Sequence, residues 1–131
     1  MTYPQEYLYT KDHEWIRVDG TTASLGITDH AQKELGDIVF VELPPAGTHV
    51  TAKESFGTVE SVKAVADVFS PVTGDVIAVN PKVARAPELV NTDPHGEGWL
   101  VQLRLKDRSE TEALMSSEEY EAYIAGESSH K

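Results

Sequence analysis

Apolar and polar residues alternate in short runs along the first 105 positions, and turn formers cut between the runs. Trp15-Ile16-Arg17-Val18 and Ala23-Ser24-Leu25-Gly26-Ile27 flank Asp19-Gly20, a dipeptide suited to a tight β-hairpin. Ile38 to Leu43 forms the next strand, stopped by Pro44-Pro45-Ala46-Gly47. Further strands are predicted over 50–61, 64–69 and 74–79. Trp99 to Leu105 closes the series with clean alternation. Many short strands at this spacing predict a mainly β fold, a β-sandwich or flattened barrel.

Helical patterns are few. Thr28 to Leu35 predicts a short internal helix, with Thr28 as N-cap and Gly36 at the stop. C-terminal helices are expected around 109–125, because Ser109…Glu112 and Ser116…Glu119 both have capping-box spacing. Tyr120, Tyr123 and Ile124 give the second of them one apolar face. Residues 126–131 are expected to form a disordered tail. A weak internal echo links Gly47-Thr48-His49-Val50 with Val72-Thr73-Gly74-Asp75-Val76 and suggests two similar β units around a central hairpin.

The chain has 131 residues, the length of one domain spanning 1–131. Apolar runs such as Ile38-Val39-Phe40-Val41 fall far short of the ~20 residues of a membrane helix, so no membrane segment is expected. There is no cysteine, which excludes disulfides, thiol catalysis and thiolate metal sites. Twenty-two acidic residues against 11 basic ones give a formal charge of −11. That charge repels nucleic acid, whose binding depends on basic residues neutralising phosphates. It suits solubility, and it can steer encounters with basic protein surfaces. The start Met1-Thr2-Tyr3-Pro4 runs at once into Tyr7-Leu8-Tyr9 without the basic-plus-apolar pattern of a signal peptide or an Arg/Ser-rich transit pattern, so neither is expected. A bacterial cytoplasmic location is the expectation, or a mitochondrial matrix one if a transit peptide has been removed.

The stretch 56–71 carries the chemistry. Two strand-like halves meet at Ser61-Val62-Lys63-Ala64, which places Lys63 on a tight turn facing solvent. A lysine in an arbitrary hairpin is ordinarily just a solvated surface residue. A carrier arm needs the same placement, with rigid strands beneath, an exposed amine on top and small neighbours around it.

Glu60-Ser61-Val62-Lys63-Ala64, followed by Ser70-Pro71-Val72-Thr73-Gly74, resembles the lipoylation segment of glycine cleavage H proteins. His13-Glu14-Trp15, Gly26 to Gln32, Leu35 to Pro44, Pro87-Glu88-Leu89-Val90-Asn91 and Gly96-Glu97-Gly98-Trp99 resemble that family in order and spacing. The resemblance runs over residues 7 to 125. Biotinyl domains carry a Met-Lys-Met type of site and acyltransferase lipoyl domains usually Asp-Lys-Ala, whereas Val62 precedes the lysine here. The resemblance implies a lipoyl-type sandwich with lipoate attached covalently to Lys63. It implies a carrier rather than an enzyme. Such a carrier takes the aminomethyl group of glycine from a pyridoxal-phosphate glycine decarboxylase to a tetrahydrofolate-dependent aminomethyltransferase. Dihydrolipoamide dehydrogenase then reoxidises it, and lipoyl-attaching enzymes load it. The cofactor carries the chemistry and the protein positions it.

The resemblance also implies that Glu14 and Asp67 line a cleft for the loaded arm, with Asp12 beside them. Carboxylates are natural partners for a cationic aminomethyl group. Position 12 varies in the family between Ser and acidic residues. The five histidines show no metal-binding spacing, and His95 stands where relatives more often carry Tyr. Gly96 and Gly98 read as a turn before the last strand, with Trp99 in the core. No Ser/His/Asp arrangement emerges, so independent turnover is not expected. Two rivals stay open at this level: a lipoyl relay, which needs the same Lys63, and an unmodified binding module or independent enzyme on the same sandwich.

Overall fold

In the computed structural model, which describes residues 3–129, the alternating segments pair into two antiparallel sheets. The strands are β1 (Leu8–Tyr9), β2 (Glu14–Asp19), β3 (Thr22–Ile27), β4 (Ile38–Glu42), β5 (His49–Val50), β6 (Ser55–Ser61), β7 (Val65–Phe69), β8 (Gly74–Val79) and β9 (Val101–Leu105). The larger sheet runs β1-β2-β3-β9-β8-β5 and the smaller β4-β6-β7. Ile16, Leu25, Val76, Val101 and Leu103 of the first meet Val41, Val59 and Val68 of the second in one buried core. The sheets form a flattened sandwich that does not close into a barrel.

Asp19 pairs with Thr22, so the β2–β3 loop is Gly20-Thr21, one residue later than the Asp19-Gly20 reading. Gly20 takes φ 65°, which its missing side chain permits. The strand predicted over 50–61 is two strands. β5 pairs with β8 in the large sheet, and β6 joins the small one after a turn in which Lys53 takes φ 73°. The polar Lys53-Glu54-Ser55 falls at the break, but alternation alone cannot show a chain changing sheets. The echoed segments do meet, since His49 pairs with Asp75 and Val50 with Gly74.

Helix α1 (Asp29–Leu35) forms as its signals predict. Thr28 Oγ1 accepts the Ala31 N–H, and Gly36 ends the helix at φ 86°. Asn80-Pro81 follows β8 and opens helix α2 (Pro81–Arg85), with Asn80 as its N-cap, and the short α3 (Leu89–Thr92) follows. The first C-terminal element is a 3-10 helix over Arg108–Ala113, capped by the Asp107 carboxylate rather than by Ser109. The second capping box is made: Ser116 Oγ accepts from Glu119 N–H and Glu119 Oε1 from Ser116 N–H. Helix α4 (Ser117–Ser129) then continues past residue 125 through most of the tail expected to be disordered, while residues 130–131 lie outside the described residues. Tyr120 anchors it in a second buried cluster with Tyr3, Tyr9 and Trp15. Trp99 only packs against the edge of that cluster. Trp15 is the buried indole, and it donates to the Pro94 carbonyl at 2.9 Å.

Candidate functional site

Strands β6 and β7 form a hairpin whose turn is Ser61-Val62-Lys63-Ala64. Ser61 is buried, its N–H donates to the Ala64 carbonyl at 2.7 Å, and its Oγ accepts the N–H groups of Lys63 and Ala64. Short serine side chains stabilise turns in this way. Val62 N–H donates to the Asp37 carbonyl at 3.0 Å and ties the turn to the loop before β4. The turn is therefore held from beneath while Val62, Lys63 and Ala64 are exposed. The Lys63 Cε lies 3.7 Å from where a Cβ on Gly36 would stand. Lys63 is thus a solvent-facing amine on a braced backbone.

Glu14, at the start of β2, is the contrasting group. Only 4% of it is exposed. Its Oε1 accepts the Thr10 hydroxyl at 2.7 Å and its Oε2 the Phe69 N–H at 3.1 Å, which fastens β2 to the end of β7. Burial pushes its pKa up to about 7. The bonds from Thr10 and Phe69 pull the other way, and the Asp12 charge adds to the rise. Glu14 opens onto a cleft of about 520 Å³, walled by Tyr9, Phe69, Pro71, Leu114 and Met115. Asp12 and Lys53 stand at the same cleft.

Four steps of β7, each about 3.3 Å, separate Val65 from Phe69, so the cleft lies roughly 13 Å down the strand from the hairpin turn. Asp67 is not among the residues lining it. It sits exposed between the two, on the face of β7 shared by Phe69, and its Oδ1 accepts from the Ser55 hydroxyl at 3.3 Å. The fold therefore brings Glu14 and Asp12 together, places Asp67 on the way from Lys63, and leaves Lys63 outside the cleft.

Sequence spacing did not reveal the far wall. Leu114 and Met115 reach the cleft because Tyr9 and Met115 exchange backbone hydrogen bonds, each 2.9 Å, across 106 positions. Glu110 fixes the 3-10 helix beside it, accepting from both the N–H and the hydroxyl of Thr73. Thr10 was missed as the hydroxyl partner of Glu14, and its spacing of four residues was the available signal.

Spacing also hid a cluster of metal-ligating types. His13, His30 and Glu34 place one ligand atom each within 4.8 Å of one another. In the same place His13 Nδ1 lies 2.8 Å from the Tyr120 hydroxyl, which is 2.7 Å from Thr28 Oγ1. This chain of contacts fastens α4 to the cap of α1. His95 is buried too. Its Nε2 accepts the Asp29 N–H at 3.1 Å, and burial lowers its pKa, so a neutral imidazole meets the first turn of α1. Among the described residues no helix is long and apolar enough to cross a membrane.

Compared with known proteins, residues 7–127 match the family model described as glycine cleavage H-protein. The chain is 55% identical to the glycine cleavage system H protein of Halothermothrix orenii over 95% of its own length and 97% of that protein. It is 58% identical to the glycine cleavage system H protein of Rubrobacter xylanophilus, covering 89% and 90%. Among solved structures, a glycine cleavage system H protein from Mycobacterium marinum superposes with a TM-score of 0.87 at 37% identity, covering 94% of this chain and 99% of that one.

Proposed function

The chain belongs to the glycine cleavage H-protein family, and from that membership we propose that it is the lipoylated carrier of a glycine cleavage system, with Lys63 as the attachment residue. The observation that carries the reading is Lys63 itself, an exposed amine within Glu60-Ser61-Val62-Lys63-Ala64 on a turn braced by Ser61 and Asp37. The surrounding residues fit such a group: an accessible amine at one end of β7 and, at the other, an apolar cleft with one buried carboxyl. Bound as an amide, lipoate supplies a disulfide that takes up the aminomethyl group of glycine and is left as a dithiol once that group has been passed on.

The chain's own residues position and shelter. Ser61 holds the turn, so that glycine decarboxylase, aminomethyltransferase and dihydrolipoamide dehydrogenase meet the arm at one fixed root. Phe69, Pro71, Leu114 and Met115 keep water from whatever enters the cleft. Glu14, held by Thr10 and Phe69, offers a carboxylate to a cationic arm end, and Asp12 stands nearby. Asp67 offers a second carboxylate on the way. Entry of a cation draws the Glu14 proton off, because an opposite charge favours the ionised form. The anchor therefore strengthens as pH rises through about 7. The relatives compared are bacterial, in keeping with a cytoplasmic site of action.

Intact mass of protein purified from its native host tests the reading, and one lipoyl addition mapping to Lys63 is expected. Lys63→Arg keeps the charge and loses the acylatable amine, so it should fold normally and gain no lipoate. Incorporation at another lysine in that variant would overturn the assignment.

A further inference from the structure

Helix α1 and the turn before β2 converge on one polar spot, away from the cleft and the hairpin. His30 and Glu34 lie one helical turn apart on the same face of α1, with His30 Nε2 3.4 Å from Glu34 Oε2. From the other side the His13 ring comes within 4.5 Å of the His30 ring, centroid to centroid. Among the described residues this is the one trio of metal-ligating side chains whose ligand atoms all lie within 4.8 Å of one another. Both histidines are half-buried and Glu34 is exposed, so an ion can reach the spot from solvent.

We propose that His13, His30 and Glu34 form a binding site for one divalent transition-metal ion, with Zn²⁺ as its representative. The site stands whether or not Lys63 carries an arm. Two imidazoles and one carboxylate are a set that zinc accepts, with water in the fourth position. Zinc bonds of about 2.0–2.2 Å put tetrahedral ligand atoms roughly 3.3 Å apart. His30 and Glu34 already meet that spacing, and His13 has at most about 1.5 Å to close. A His30–Glu34 ion pair alone accounts for two of the groups, and a shared cation accounts for the arrival of the third. His13 is also held ready. Its backbone takes φ 70°, a left-handed conformation uncommon outside glycine and gathered at ligand clamps. Its N–H donates to the Thr10 carbonyl at 3.1 Å, and its carbonyl accepts the Thr28 N–H at 3.0 Å. Its Nδ1 lies 2.8 Å from the Tyr120 hydroxyl, which lies 2.7 Å from Thr28 Oγ1. With Nδ1–H donating to Tyr120, Nε2 is the nitrogen that takes the metal, and the outer bond orients the ring as it does in most metal-bound histidines. The bound ion cross-links α1 to the turn that carries Glu14.

The test is calorimetric titration of zinc chloride into the full, tag-free chain, made without lipoate because the thiols of a reduced arm bind zinc themselves. One ion per chain is expected. His30→Gln and Glu34→Gln should each weaken binding about tenfold or more, no less than the loss of an outer-shell partner costs. His49, exposed on the edge strand β5, serves as control, and His49→Gln should match the parent. Imidazole ¹H–¹⁵N spectra of the parent give a readout that needs no variant. Zinc should move the His13 and His30 signals and leave those of His49 and His95 in place. An absence of saturation by about 1 mM zinc overturns the site. Affinity unchanged in both His30→Gln and Glu34→Gln overturns it as well. Equal loss in His49→Gln, or zinc shifts spread over all the imidazoles, means scattered surface binding and overturns it too.

Discussion

Glu14 sits between two demands, since a carboxyl buried this deeply resists ionising while Thr10 and Phe69 donate to both its oxygens. The balance holds its pKa at about 7 against an ordinary 4.5. Between those values the folded chain keeps a proton that the unfolded chain has lost. The stabilising contribution of Glu14 is therefore complete below pH 4.5, falls as pH rises through the window, and levels off above 7. About 2.5 pKa units correspond to roughly 3 kcal/mol at most. His95 works in the opposite direction below its unfolded pKa of 6.5, because burial lowers its folded value. A comparison with Glu14→Gln isolates the carboxyl. In urea unfolding at pH 5, 6, 7 and 8, the parent should lose stability relative to Glu14→Gln as pH rises. A difference between the two proteins that stays constant across the series would show that Glu14 ionises near its ordinary value. His13-Glu14-Trp15 was legible as a motif, and with it the candidate acid. The burial that turns that acid into a group titrating near neutrality was not, because it depends on Phe69, Leu114 and Met115 arriving from elsewhere in the chain.

At the scale of elements, close approach explains why some positions admit one residue. A Cβ built on Gly26 of β3 would lie 2.7 Å from three atoms of the Trp15 indole. That ring cannot withdraw, because it is 1% exposed and its Nε1 donates to Pro94. Gly26→Ala should cost about 1–3 kcal/mol, the usual penalty of overpacking a filled core. Thermal unfolding followed by tryptophan fluorescence checks it, and an unchanged midpoint would mean that β2 and β3 can separate locally at little cost. Gly26-Ile27-Thr28 was readable as a strand running into a helix cap because those signals are local. The same holds for the turn at Lys63, where small residues meet between two alternating runs. What escaped the pattern is what the pattern cannot hold. β1 has two residues, too few to show a period, and α3 has four. The division of 50–61 between two sheets follows from Val50 pairing with Gly74 and Ser55 with Phe69, partners set by topology rather than by neighbours in sequence. The helix through 126–129 extends α4 beyond the last apolar residue of its buried face, and the polar sequence there gave no sign of it.

At the scale of the whole molecule, −11 charges on 131 residues create a field that no single contact reveals. Part of it surrounds the hairpin, since β4, β6 and β7 contribute three carboxylates and no base. A carrier that visits several enzymes in turn is served by fast encounter and ready release more than by tight binding. Charge supplies the encounter: steering raises association rates by 10- to 1,000-fold or so at low salt. Apolar contact in a complex acts mainly on dissociation, where most affinity differences between related complexes reside. The two contributions can be separated by salt. The Debye length falls from about 10 Å at 0.1 M to about 3 Å at 1 M, which screens the carboxylates but leaves apolar burial in place. Across a chloride series, the apparent KM of the glycine-decarboxylating partner for this protein should rise, and stopped-flow association rates should fall by roughly tenfold or more. Dissociation rates should change much less over the same series. The partner's own activity, measured on free lipoate at each salt concentration, corrects for effects on that enzyme. An association rate that stays flat after this correction would mean that the acidic surface serves solubility alone.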